Sequence, residues 1–158
     1  MKIIAAMSEN RVIGQGDGMP WDVPDEYQQY LEFVRGTTVL MGRRTFEIFG
    51  ADTTADHIVV LSHTPRPVAG GAVCTNLQQA LSTAAAYGKP IFSCGGASIY
   101  AQTIPLASEM LLSTIKGEHP GDTYFPEFNA FEWQVAEERD EEHYLFRRWV
   151  RRNQARNT

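Results

Sequence analysis

Pro90-Ile-Phe-Ser-Cys-Gly-Gly-Ala-Ser-Ile-Tyr-Ala-Gln-Thr-Ile104 reads as a strand, two glycines and a helix. Pro90 to Cys94 is short and mostly apolar, and Gly95-Gly96 opens a helix over Ala97 to Ile104. Glycines let a backbone approach a phosphate closely, and a helix start turns free N–H groups and its positive end toward it. Gly-Gly also makes ordinary tight turns, so a second observation is needed. Met41-Gly-Arg-Arg-Thr45 supplies one, another strand–Gly–helix unit. Its two Arg at a helix start oppose the dipole, a conflict that an anionic ligand removes; two solvated side chains are the plain alternative. Together the units point to a dinucleotide. The chain has no G-x-G-x-x-G, which sets it apart from an ordinary Rossmann domain.

Strand and helix signals alternate on both sides of these units, the pattern of an α/β domain with a largely parallel sheet. Lys2 to Met7 is an apolar first strand, followed by a loop with Gly14, Gly16 and Gly18. Asp22 is placed to cap a helix with Pro24 at its first position, ending near Gly36. Tyr27, Tyr30, Leu31 and Val34 share one face of it. Thr37 to Met41 is a buried strand, Arg43 to Phe49 a short helix, and His57 to Leu61 the next strand. A helix starts at Thr75 or Asn76, carries Leu77, Ala80, Leu81 and Ala84 on one stripe, and ends at Gly88. Met110 to Ile115 is a strand. Phe131 to Glu138 and His143 to Arg152 form a terminal hairpin around Arg139-Asp140, which makes the sheet mixed.

With 158 residues, 43% of them hydrophobic, the chain suits one domain with a real core. A net charge of −5 argues against a nucleic-acid partner. Arg147, Arg148, Arg151, Arg152 and Arg156 cluster, but acidic residues between Glu127 and Glu142 face them, so a charge-paired hairpin is expected. No run of about 18 apolar residues predicts a membrane span. Cys74 and Cys94 form no C-x-x-C pair and read as free thiols of a cytoplasmic protein.

Asn10-Arg-Val-Ile-Gly14 leading into Gly18-Met-Pro-Trp21, then Met41-Gly-Arg-Arg-Thr45, Cys94-Gly-Gly-Ala-Ser-Ile-Tyr100 and Gly121-Asp-Thr-Tyr-Phe-Pro126, resemble in order and spacing the dihydrofolate reductase family. The likeness runs from Ile3 to about Trp149. It implies a single-domain α/β fold over residues 1–158, with a central, mixed, mostly parallel sheet of about eight strands flanked by about four helices. It also implies NADPH as cofactor, a small-molecule dihydropterin as substrate and a monomer.

The resemblance assigns roles by position. Arg43, Arg44, Thr45, Ser62 and His63, with Gly42 and Leu61 beside them, would hold the cofactor's phosphates. Gly95, Gly96, Ala97, Ser98 and Ile99 form the Gly-Gly helix start, whose Gly-Gly bond is usually cis in the family. Ser98 stands where many relatives carry Arg or Glu. Ala6, Ile13, Cys94 and Tyr100 would border the nicotinamide. Paired Arg favour NADPH over NADH, because the 2′-phosphate offers charge for bidentate recognition.

Glu26 aligns with the family's active-site carboxylate. On its residue type alone, an acid in a first turn simply suits the dipole; Asp25, one place earlier, points about 100° away. By resemblance Glu26 would hold the 2-amino and N3 positions of the pterin and favour protonation at N5. A water near Met19, Trp21 and Ser113 would complete the proton path. Ile4, Ala5, Ala6, Tyr27, Tyr30, Phe49, Cys94 and Ser113 would line the pterin site. Gly14 to Trp21 would be a lid with Met19 over the nicotinamide, and Asp122 would support it from the Gly121-Asp-Thr123 loop.

One position departs from the family pattern. The Arg that clamps the folate α-carboxylate is replaced by Asp56, and Leu31 and Ala51 stand where some bacterial relatives are basic. The expectation is reduction of 7,8-dihydrofolate, with a dihydropterin lacking that carboxylate, such as dihydromethanopterin, as the alternative. Arg35 is a substitute clamp under the first reading; Arg66 lies too far along the chain. A non-catalytic binder and a reductase of the riboflavin-synthesis type are the rivals; the lid and the acid-bearing helix speak against both.

Overall fold

The computed structural model describes residues 1–16 and 18–152; Arg156 of the basic cluster lies outside them. Its main sheet has eight strands. They are β1 (Lys2–Ser8), β3 (Thr38–Gly42), β4 (His57–Leu61), β5 (Ala72–Cys74), β6 (Ile91–Ser93), β7 (Glu109–Ile115), β9 (Trp133–Asp140) and β10 (Tyr144–Arg151). The order across the sheet is β5-β4-β3-β6-β1-β7-β10-β9. Neighbours from β5 through β7 pair in parallel, and β10 runs antiparallel to both β7 and β9. Short β2 (Val12–Gly14) and β8 (Thr123–Tyr124) pair separately. Four helices flank the sheet: α1 (Pro24–Val34), α2 (Arg43–Phe49), α3 (Leu77–Ala86) and α4 (Ala97–Thr103). A mixed, mostly parallel α/β sheet is therefore what the alternation of signals described.

The period of two along each strand sorts the core onto two faces. Ile4, Val39, Met41, Ile58 and Val60 pack with Val34 of α1 on one side. On the other, Leu40 and Val59 pack with Ala80 and Ala84 of α3, while Ile3, Met110 and Leu112 pack with Tyr100 and Ile104 after the Gly-Gly turn. The Asn76 side chain accepts from the Gln79 N–H at 2.8 Å, capping α3.

Several expectations need correction. Asp22 does not cap α1: Val23 is the N-cap, with no side-chain hydrogen bond, and Pro24 is the first helical residue. The terminal hairpin turns at 141–143, not at Arg139-Asp140; the backbone N–H of Glu141 meets the Tyr144 carbonyl at 2.9 Å. Burial of Tyr144 and Phe146 sets this register, pairing Arg139 with Phe146 and Asp140 with Leu145. Phe131 then precedes the strand and is 88% exposed. β2, β5 and β8 were not expected. The basic cluster is charge-paired across the hairpin, with Arg147 on Glu138 at 2.8 Å and Arg148 on Glu137 at 3.5 Å; Arg148 also reaches Glu109 of β7 at 3.1 Å.

Candidate active site

β1 pairs with β6 only at Lys2 and Ile3, and then β6 ends while β1 continues. That early ending opens a cleft at the carboxyl ends of β1, β3 and β6, where open parallel sheets receive ligands. It also leaves the Ile4 carbonyl without a strand partner on that side. The buried Tyr100 hydroxyl, from α4, donates to it at 2.8 Å.

The cleft has two connected parts. A larger cavity of about 450 Å³ lies over the starts of α2 and α4 and the end of β4; Arg43, Arg44, Thr45, Ser62, His63 and Ala97 are among its walls. A smaller cavity of about 110 Å³ is lined by Ile4, Ala5, Ala6, Glu26, Tyr27, Tyr30, Cys94 and Tyr100. Ile13, Met19, Thr45, Phe49 and Gly96 border both. A third cavity of about 200 Å³ reaches Glu26 from behind Met19, past Trp21 and Asp22.

The larger part fits a phosphorylated dinucleotide by its donor set. Neither α2 nor α4 has a side-chain cap; their N-caps are Gly42 and Gly96. The starting N–H groups therefore need an external acceptor. Arg43 is aimed by Ser62, to whose hydroxyl its Nε donates at 2.9 Å, and by the carbonyls of Thr64 and Arg66. Arg44 donates to the Gly16 carbonyl at 2.9 Å, so the same helix start touches the glycine loop. Gly95-Gly96 is cis, and a Cβ on Gly95 would lie 2.7 Å from the Tyr100 ring, which keeps a glycine there. Gly42 and Gly95 are tied by an N–H to carbonyl bond of 2.8 Å.

Glu26 is 6% exposed and is the one buried carboxylate among the described residues; Asp25 is exposed. Burial pushes its carboxyl up from 4.5 to about 7, opposed by a lowering from Ser113 and helped by the charge of Asp25. Burial likewise raises the Cys94 thiol to about 12 and the Tyr30 and Tyr100 hydroxyls above the usual phenol range. Glu26 is therefore a carboxyl poised to change charge near neutrality.

Most of the expected residues gather at the two cavities. Trp21 does not line the pterin-sized part; it stands at the third cavity, edge-on to His119 with ring centroids 5.5 Å apart. Ser113 sits behind Glu26, 2% exposed, and Gly95 supports the floor without lining it. The loop expected to act as a lid is pinned in its first half: Gln15 and Gly18 exchange backbone bonds, and Asp122 accepts from the Gly16 N–H at 3.3 Å. Unexpected wall residues are Ile48, Thr75, Asn76, Leu77, Gln102 and Thr123. Helical spacing was the available signal for two of these, since Ile48 lies four residues after Arg44 and Gln102 four after Ser98.

Asp56 lies outside both cavities, paired with Lys89 at 3.2 Å. The negative charge that stands in place of the clamp Arg is thus countered by a lysine two residues before β6. Arg35, the substitute clamp, is exposed and bonded to Glu32 at 2.8 Å.

Comparison with known proteins agrees with this geometry. Residues 1–150 match the family model described as dihydrofolate reductase. Over 135 residues the chain is 37% identical to dihydrofolate reductase type A13 of Escherichia coli, covering 85% of this chain and 82% of that one. It is 33% identical to the dihydrofolate reductase of Neisseria gonorrhoeae, covering 85% and 84%. A solved dihydrofolate reductase from Enterococcus faecalis, complexed with NADP(H) and RAB-propyl, superposes with a TM-score of 0.86 at 25% identity, over 96% of each chain. By this match along nearly its whole length, and by the joined phosphate and carboxylate cavities, the chain belongs to the dihydrofolate reductase family.

Proposed function

We propose that the chain, acting as a single domain, reduces 7,8-dihydrofolate to 5,6,7,8-tetrahydrofolate with NADPH. The observation that carries this reading is a lone buried carboxylate, Glu26, in a small cavity that opens into an Arg-lined cleft. NADPH supplies the hydride, from its C4 to C6 of the dihydropterin, with a proton added at N5.

Arg43, Arg44, Thr45, Ser62 and His63 hold the cofactor's phosphate end, with the uncapped start of α4 on the pyrophosphate side. Tyr100, Ile13 and Ala6 border its nicotinamide. Glu26 holds the 2-amino and N3 positions of the pterin through paired hydrogen bonds, while Tyr27, Tyr30 and Phe49 flank the rings. A carboxyl that titrates at about 7 can hold or release a proton at working pH, which suits a step that ends with protonation at N5. Met19 borders all three cavities, so its movement covers the reacting rings and opens or shuts the route past Trp21 to Glu26. Rate enhancement comes from positioning and electrostatics, with no covalent intermediate on the protein.

A dihydropterin without the tail carboxylate is the weaker reading, because the relatives named above are dihydrofolate reductases. Among the described residues no helix is long and apolar enough to cross a membrane. The buried free thiols Cys74 and Cys94 suit a reducing cytoplasm, and the chain is read as a monomer there. The test is oxidation of NADPH on adding dihydrofolate, with dihydromethanopterin in parallel. No turnover of dihydrofolate beside turnover of dihydromethanopterin overturns the substrate; no turnover of either overturns the reductase.

A further inference from the structure

Gln29 is half-buried on α1, on the side of Glu26 away from the cofactor cleft. Its side chain has three hydrogen-bond neighbours from three different strands. Arg139 of β9 donates through Nη2 to its Oε1. The Tyr144 hydroxyl of β10 donates to the same oxygen at 3.3 Å. Its own Nε2 donates to the Ser113 hydroxyl oxygen of β7 at 3.2 Å.

The chemistry of the partners fixes the direction of this chain. A guanidinium has donors only, so the amide oxygen of Gln29 must face Arg139. The amide nitrogen must then face Ser113. A hydroxyl that accepts from Gln29 has its one hydrogen free for another acceptor, and Ser113 acts on the neighbouring Glu26 carboxyl as such a donor, lowering it against its burial. The series therefore runs as donors from Arg139 through Gln29 and Ser113, and ends on Glu26. Arg139 is itself braced, over the Phe146 ring at 4.7 Å and on Glu141 at 2.8 Å.

We propose that Gln29 is a positioning residue of the reaction: oriented by Arg139 and Tyr144 of the terminal hairpin, it turns the Ser113 hydroxyl onto Glu26. The proposal deepens the reductase reading and rests on it for the role of Glu26. Among charged and titratable groups, Asp25 on the same helix, Tyr100 on α4 and Tyr144 on β10 also interact with Glu26 electrostatically, and Tyr27, Tyr30 and Cys94 share its cavity. None of them sets the orientation of the Ser113 hydroxyl, since none bonds to its oxygen as Gln29 does. A donor to the charged carboxylate favours ionisation. Without the relay the Ser113 hydrogen is no longer directed, and Glu26 keeps its proton to higher pH.

The test uses Gln29→Met, which keeps side-chain length, and Arg139→Met, which keeps an unbranched stem; both remove the bonds. The first readout is an NMR titration of the glutamate side-chain carboxyls in the protein alone, which follows Glu26 without substrate. The expected result is an upward move of its midpoint by roughly 0.5–1 pH unit in both variants, with NADPH affinity unchanged. The second readout is the pH profile of kcat/KM for dihydrofolate, whose midpoint moves with the first. Circular dichroism and thermal unfolding establish that each variant is folded; Gln29→Asn replaces Gln29→Met where the latter is not. An unmoved carboxyl midpoint in either folded variant overturns the relay. A moved midpoint in a protein that never turns over dihydrofolate leaves the relay standing and removes the reductase reading, so the two failures are distinct.

Discussion

The hydroxyl of Tyr100 donates to the backbone carbonyl of Ile4 at 2.8 Å, joining the helix after the Gly-Gly turn to the strand that floors the cleft. This bond replaces a strand neighbour that β6 is too short to supply. Both residues are buried, so removing the hydroxyl leaves a carbonyl facing only the cleft. Tyr100→Phe is expected to destabilise the protein by about 1–2 kcal/mol, and to lower kcat more than it raises KM for NADPH. Denaturant unfolding and steady-state kinetics check the two parts. Equal stability would mean that water satisfies Ile4.

Glu26 gives a pH dependence whose sign can be worked out. Its carboxyl is raised from 4.5 to about 7 by burial, so between these values the folded protein binds a proton that the unfolded chain has released. The associated stability is complete below 4.5 and lost as pH rises through about 7. It amounts to about 3 kcal/mol. Glu26→Gln abolishes this dependence, so the variant is expected to be more stable than the parent at pH about 8, while losing at least roughly 100-fold in turnover and keeping its NADPH affinity. Urea unfolding across the pH range tests the first statement. Unchanged turnover would remove Glu26 from the mechanism.

How much of this was legible in the chain depends on distance along it. Val39, Leu40, Val59 and Val60 lie in runs that can only be buried strands, and the two Gly-bearing helix starts announce themselves locally. β2, β5 and β8 are three, three and two residues long, too short for any alternation to register. Arg139-Asp140 read as a turn because it is polar; pairing to β7 through Tyr144 and Phe146, not local propensity, moved the turn onward. The Gln29–Arg139 bond spans 110 residues and involves two ordinary polar side chains, so nothing near either one signals it. Asp56 was legible as a departure, yet its partner Lys89 was not.

The proposed lid depends on a glycine outside it. A Cβ on Gly121 would lie 2.2 Å from Val12 Cγ1 and 2.5 Å from the Gly14 carbonyl oxygen. Gly14 is where the lid leaves β2, and its carbonyl also accepts from the Asp122 N–H at 3.1 Å. Gly121→Ala must push the two loops apart, at about 1–3 kcal/mol, and break the Asp122–Gly16 contact. The expected outcome is slower hydride transfer in single-turnover stopped flow, with dihydrofolate affinity little changed. A hydride rate equal to the parent's would show that the loops act independently.

Arg43 bears on cofactor choice. Its guanidinium is aimed by Ser62 and by two carbonyls beyond β4, a site built for a fixed direction of charge. Arg43→Gln is expected to weaken NADPH by roughly 10–100-fold and NADH by much less, since only NADPH carries the 2′-phosphate. The salt dependence of KM for NADPH should flatten with it. Equal losses for both cofactors would place Arg43 on the pyrophosphate instead.

The tail of the substrate supplies the last expectation. Asp56 is held by Lys89 at 3.2 Å with both side chains nearly half exposed, so the pair is weakly coupled and open to exchange. A folate carboxylate arriving there can compete with Asp56 for the ammonium, which gives it a partner without a bidentate clamp. Dihydrofolate should then be preferred over a dihydropterin lacking the glutamate, but by less than roughly tenfold in kcat/KM, because a screened lysine contact contributes about 1 kcal/mol or less. Asp56→Asn, which frees Lys89, should lower KM for dihydrofolate, and Lys89→Met should raise it, leaving the tailless substrate untouched. If both variants behave as the parent toward both substrates, the tail is held elsewhere on the molecule, and the Asp56–Lys89 pair belongs to the fold alone.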